Sequence, residues 1–138
     1  MKAVLDTNVV VSGLLSGTGP CGRILDLVLE GIVPIATDVR ILAEYEEVVR
    51  RPQLAIPATE AAKVLASMGL AAEPVTAPPL PAFLPDADDQ PFLEVAAAAR
   101  AVLVTGNRRH FPTDVCQGVR VLSPAEFLDL LREEGAGG

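Results

Sequence analysis

The chain has 138 residues, half of them hydrophobic but only 4% aromatic, and a net charge of −7. That length fits one domain, and the paucity of aromatics asks for a core of aliphatic layers, as in an α/β sheet covered by helices. The negative charge counts against a general electrostatic binder of nucleic acid, no apolar run reaches the ~20 residues of a membrane span, and the N-terminus lacks a signal-peptide pattern.

In chain order, Lys2 to Asp6 reads as a short buried strand, with Thr7 or Asn8 capping the helix that follows. Gly17, Gly19 and Pro20 interrupt it. A second helix is predicted from Cys21 to Glu30, on the helical spacing of Ile24, Leu25, Val28 and Leu29, with Gly31 closing it. Ile32 to Ala36 reads as a strand. Thr37 and Asp38 cap a helix that runs to about Arg50, before Pro52. Pro57 to Met68 reads as a helix stopped by Gly69, and Glu73 to Thr76 as a short strand. Ala77 to Pro85 is a proline-rich stiff loop.

Asp86 to Asp89 introduce a helix from about Gln90 to Arg100. Ala101 to Thr105 reads as a strand, Gly106 to Asp114 as a loop with a helical turn, and Val119 to Leu122 as the last strand. Ser123-Pro124-Ala125-Glu126 is a capping-box start for a final helix. One domain over residues 1–134 is expected, with a disordered tail over 135–138. Cys21 and Cys116 are expected as free thiols in a cytoplasmic protein. They and the single histidine are too scattered to suggest a zinc site.

Strands alternating with helices imply a parallel sheet with helices on both faces, whose site lies at the carboxyl ends of the strands. Asp6 closes the first strand there, and Asn107 follows the fourth, after Thr105 and Gly106. Asp89 opens the helix leading into the fourth strand. Glu44 lies in the third helix, and spacing separates it from its neighbours. Glu46 and Glu47 have Arg50 and Arg51 at i+4, which suits an exposed face. Glu44 has Ile41 at i−3 and Val48 at i+4, an aliphatic setting that is costly for a carboxylate without compensation.

Clustered carboxylates raise one another's pKa, and a hard divalent cation removes the repulsion. Such an ion activates water and stabilises charge on a phosphodiester, with no need for a catalytic His, Cys or Lys. Each acid alone has a plainer reading. Asp6 and Asp89 can be helix caps, Asp86 and Asp88 solvated loop residues, and Asn107 a turn former.

Four segments taken together resemble the PIN-domain ribonucleases. These are Asp6-Thr7-Asn8, Glu44 in the third helix, Asp89-Gln90-Pro91-Phe92-Leu93-Glu94-Val95-Ala96, and Val104-Thr105-Gly106-Asn107-Arg108-Arg109-His110-Phe111. The likeness spans residue 1 to about 131 and is nearest to the prokaryotic toxins related to VapC. It implies a three-layer α/β/α fold with a central parallel sheet of about five strands, Mg²⁺ or Mn²⁺, RNA cleavage, and a homodimer inhibited by a small antitoxin. By position, Asp6, Glu44 and Asp89 would be metal ligands and catalytic together with Asn107, and Asp86 would act as an auxiliary acid through water.

Asn107 departs from the aspartate common at its position, so the site would hold one ion more weakly or a second poorly. Thr7 and Thr105 could position a water or a carboxylate, or simply bond backbone. Arg108 and Arg109 could hold RNA phosphates, with His110 contacting phosphate or backbone rather than acting as a base. Two rival readings remain. A flavodoxin-like signalling receiver also gathers acids around Mg²⁺, but it needs an aspartate after the third strand and a late lysine, and no lysine follows Lys63. A non-catalytic RNA- or partner-binding module is the other, motivated by Asn107 and the acidic balance.

Overall fold

A computed structural model describes residues 1–81, 83–116 and 118–137. Five strands and six helices follow the expected alternation: β1 (Ala3–Leu5), α1 (Thr7–Leu15), α2 (Pro20–Leu29), β2 (Ala36–Thr37), α3 (Val39–Val49), α4 (Ala58–Ala71), β3 (Glu73–Pro74), α5 (Gln90–Ala99), β4 (Val102–Val104), β5 (Val121–Leu122) and α6 (Pro124–Gly137).

All strand pairs are parallel. β1, β4 and β5 form one ladder and β2 with β3 another. A bridge between Ala3 and Ile35, with the Ala3 N–H donating to Pro34 O at 3.0 Å, joins them in the order β3-β2-β1-β4-β5. The order reverses at β1, and because crossovers between parallel strands are right-handed as a rule, such a reversal puts helices on both faces of the sheet.

β1 is buried along its whole length and the core gathers around it. Leu103, Val104, Leu93, Phe92 and Ile35 are all nearly inaccessible. α5 packs against β1, β2 and β4, with the Phe92 ring 6.3 Å from that of Tyr45 on α3. α1 and α2 approach closely because Gly13 has no side chain. A Cβ there would sit 2.5 Å from Leu25 Cδ1 and 2.9 Å from Cys21 O. Cys21 and Cys116 are free thiols, and no described helix is long and apolar enough to cross a membrane.

The strands are shorter than the sequence suggests. Ile32 and Val33 donate to Leu27 O at 2.9 and 3.2 Å, so they complete the end of α2. Gly31, with φ +79°, turns the chain there, which leaves only Ala36 and Thr37 for β2. Gly69 does not stop α4, which continues to Ala71; a glycine inside a helix costs only ~1 kcal/mol. The helix begins at Ala58, one residue after Pro57. The capping box at α6 forms in both directions: Glu126 Oε1 accepts from Ser123 N at 2.8 Å and Ser123 Oγ from Glu126 N at 3.1 Å. The expected tail falls on the last turn of α6 and on Gly138, the latter outside the described residues.

Candidate active site

The candidate site lies at the carboxyl end of β1, where Asp6 follows the strand and caps α1. Its backbone is extended and its Oδ1 accepts from Thr7 N at 2.8 Å. Asp6 itself therefore caps α1, not Thr7 or Asn8. Its other oxygen, Oδ2, accepts from Thr105 Oγ1 at 2.7 Å. Thr105 is wholly buried at the end of β4, and its hydroxyl also accepts from Asn107 N at 3.0 Å.

Asn8 has a different role. Its Oδ1 accepts from Gly106 N at 3.1 Å and ties the loop after β4 to the first turn of α1. The sequence suggests Asn8 as a cap and as part of the Asp6-Thr7-Asn8 segment, not as a clamp on a distant loop. Its partner is 98 residues away, and no local signal carries that.

Glu44 arrives from α3. The Thr7 hydroxyl donates to Glu44 Oε2, so Thr7 links two acids, one through its backbone and one through its side chain. Tyr45, the next residue on α3, is buried, and its hydroxyl donates to Leu5 O. That bond pins α3 to the last residue of β1. Asp38 caps α3 by accepting from Ile41 N at 2.9 Å. The outward glutamates pair as their spacing suggested, Glu46 with Arg50 at 3.0 Å and Glu47 with Arg51 at 2.8 Å.

Asp89 comes from the turn before α5. Asp86 caps that turn, its Oδ1 accepting from Asp88 N at 2.9 Å. Asp89 is buried at 8% exposure, and its Oδ2 has no hydrogen-bond partner among the described residues. His110 Nδ1 lies 3.0 Å from that oxygen. Asp86, Asp89 and His110 each offer a ligand atom within 4.8 Å of the others.

The electrostatics follow from this crowding. Burial raises the Asp6 carboxyl above its usual value, against the bonds from Thr105 and Thr7 and the nearby His110, which lower it. Glu44 is raised by burial, opposed by the Thr7 bond and reinforced by Asp6, Asp88 and Asp86. Asp89 is pushed up to about 6, first by burial and then by Asp6, with Asp86 and Glu44 adding and His110 opposing. Glu44 and Asp89 both feel Asp6 and Asp86, as neighbouring carboxylates do.

The arginines separate. Arg108 donates to Val121 O at 3.2 Å and pairs with Glu126 at 3.2 Å, so α6 holds it. Arg109 is exposed and makes no ion pair among the described residues. Asn107 is half-buried at the rim.

A second network supports the pocket and was not foreseen. Glu94, buried on α5, accepts from Arg40 Nη1 at 2.7 Å, Leu80 N at 3.0 Å and Gln90 Nε2 at 3.4 Å. Arg40 also pairs with Asp38 at 2.7 Å. Burial would raise the Glu94 carboxyl, but the bonds from Arg40, Leu80 and Gln90 outweigh it and hold it below the usual value. The network joins the start of α3 to α5 and to the proline-rich loop. In sequence the only sign was a glutamate on an otherwise apolar helix.

Residues 2–109, most of the chain, match the PIN domain family. The chain belongs to that family. Within this PIN domain, the elements that carry Asp6, Glu44, Asp89 and Asn107 all fall in the matched span. The chain is also 31% identical, over 111 residues, to the uncharacterized protein MJ1680 of Methanocaldococcus jannaschii, covering 78% of this chain and 72% of that relative. PIN domains are in general nucleases, so the fold is that of a hydrolase acting on nucleic acid, and it presents a carboxylate cluster able to take a cation.

Proposed function

We propose that this PIN domain is a metal-dependent endoribonuclease, the toxin of a toxin–antitoxin pair, hydrolysing RNA phosphodiesters with Mg²⁺ or Mn²⁺. The observation that carries the catalytic reading is the buried, unpartnered Asp89 Oδ2, whose pKa the neighbouring Asp6, Asp86 and Glu44 help to raise. A buried carboxylate oxygen without a donor is costly, and a hard cation answers both that cost and the mutual repulsion. The donor set, all oxygen from Asp6, Glu44 and Asp89, fits a hard divalent ion.

When bound, the ion supplies Lewis-acid stabilisation of phosphate charge and acidifies water. The protein's own residues do the rest. Thr105 and the Thr7 N–H each bond one Asp6 oxygen, which fixes that carboxylate's orientation. The Thr7 hydroxyl holds Glu44. The Thr105 hydroxyl orients Asn107 through its backbone N–H, so the amide can aim an incoming water. Asp86, at the mouth, acts as an auxiliary acid that orients water. Exposed Arg109 is available to an RNA phosphate in bidentate fashion, with Arg108 contributing once released from Glu126. Few cations are then needed, consistent with a net charge of −7.

The toxin role, the antitoxin partner and the homodimer rest on the likeness to VapC-related proteins. Exposed Val39 and Leu70, beside an apolar groove between α3 and α4, offer a surface for such association. Purified protein should cut single-stranded RNA with Mn²⁺ and stop with chelator. Asp6→Asn should lose at least ~10²-fold in rate; retained cleavage would refute the assignment. Co-expression with the product of an adjacent short reading frame should give a stable complex.

A non-catalytic module remains the second reading, favoured by the uncharged Asn107 and the pairing of Arg108 with Glu126. It predicts RNA binding without turnover in the same assay.

A further inference from the structure

His110 was expected beside the arginines, facing RNA. The fold turns it toward the acids. Its Nδ1 stands 3.0 Å from Asp89 Oδ2, and Asp86, Asp89 and His110 each offer a ligand atom within 4.8 Å of the others'.

The 3.0 Å spacing is that of a hydrogen bond, yet the imidazole N–H is not aimed at the oxygen, and Asp89 Oδ2 has no hydrogen-bond partner among the described residues although it is shielded from solvent. Two donor atoms therefore stand side by side without bonding one another. Two ligands of one cation, bound at about 2.1 Å, sit about 3 Å apart at right angles and about 3.4 Å apart at the tetrahedral angle. A shared cation would satisfy both the orphaned oxygen and the imidazole nitrogen.

We propose that Asp86, Asp89 and His110 form a mixed carboxylate–imidazole seat for a first-row transition dication, sharing Asp89 with the acids of the proposed nuclease centre. The inference rests on that reading for the role of Asp89 and adds to it the identity of the metal. Imidazole suits Zn²⁺ and the later first-row dications, whereas Mg²⁺ keeps to oxygen and water. The seat therefore separates these ions where an all-carboxylate pocket would not. The sequence hides it because Asp86 and Asp89 precede α5 while His110 follows β4, and the turn at Arg108–His110 brings the ring to Asp89.

His110 is the chain's one histidine, so a full-length protein labelled with ¹⁵N-histidine reports on this site alone. Zn²⁺, added to one equivalent, should move the Nδ1 resonance to that of a coordinated nitrogen, and Mg²⁺ should leave it in place. Asp86→Asn should weaken Zn²⁺ binding about tenfold in calorimetric titration. Zn²⁺ that binds with Nδ1 unmoved, or through Nε2 and indifferent to Asp86→Asn, overturns the proposal and leaves the carboxylate centre standing. If no divalent ion gives heat, both fall together.

Discussion

Thr105 and Asp6, 99 residues apart in the chain, meet through a 2.7 Å hydrogen bond that is wholly inside the protein. The same hydroxyl receives Asn107 N, so one small side chain orients residues from two strand ends. Thr105→Val keeps the shape and removes both bonds. It should cost about 1–3 kcal/mol in denaturant unfolding and lower cleavage more than Thr105→Ser, which keeps the hydroxyl. Equal activity in the two variants would show that the hydroxyl does not matter.

Asp89 makes the metal-free protein sensitive to pH in a defined direction. Its carboxyl is raised from 3.8 to about 6 in the folded chain, so between these values the native state binds more protons than the unfolded one. Stability therefore falls as pH rises through that window, and the full penalty, about 1 kcal/mol after solvent screening, is present above it. Melting with chelator should show this slope in wild type and a flatter one in Asp89→Asn. Mn²⁺ should raise the melting temperature more at pH 7.5 than at pH 5. Parallel slopes in the two proteins would remove Asp89 as the cause.

Glu94 acts in the opposite sense. Its carboxyl is held below 4.5 by the bonds from Arg40, Leu80 and Gln90 despite burial, so it stabilises the fold above pH 4.5 and ceases to do so as pH falls through its lowered value. Glu94→Gln should lose about 1–2 kcal/mol at pH 7, moderated because Arg40 is partly exposed, and the difference from wild type should shrink toward pH 3. Urea unfolding at both pH values checks it.

Asn107→Asp restores an acid where the likeness to PIN ribonucleases has one. A further charge in the pocket should tighten Mn²⁺ binding about tenfold or more and destabilise the metal-free protein at neutral pH. Unchanged affinity in calorimetry would place residue 107 outside the ion's reach.

Much of this arrangement was legible in the chain itself. The alternation of strands and helices, Asp38 and Ser123 as caps, and the separation of Glu44 from Glu46 and Glu47 all follow from local spacing. What escaped depends on distant partners. Ile32 and Val33 look like a strand by composition, but their N–H groups are taken by the end of α2. Asn8 looks like a cap until Gly106 is brought to it. His110 reads as a phosphate or backbone contact, and nothing local places its ring 3.0 Å from Asp89. Residue type and period specify an element; they do not say which element across the sheet will satisfy a given polar atom.

Tyr45 has a consequence of another kind. Adjacent helix positions diverge by about 100°, so anchoring the phenol on Leu5 O sets the roll of α3 and with it the bearing of Glu44. The fastening is neutral, and burial keeps the phenol from ionising within any ordinary range. Brine and mild alkali, which weaken or redistribute the repulsion among carboxylates, therefore leave the hinge pin of the cavity in place.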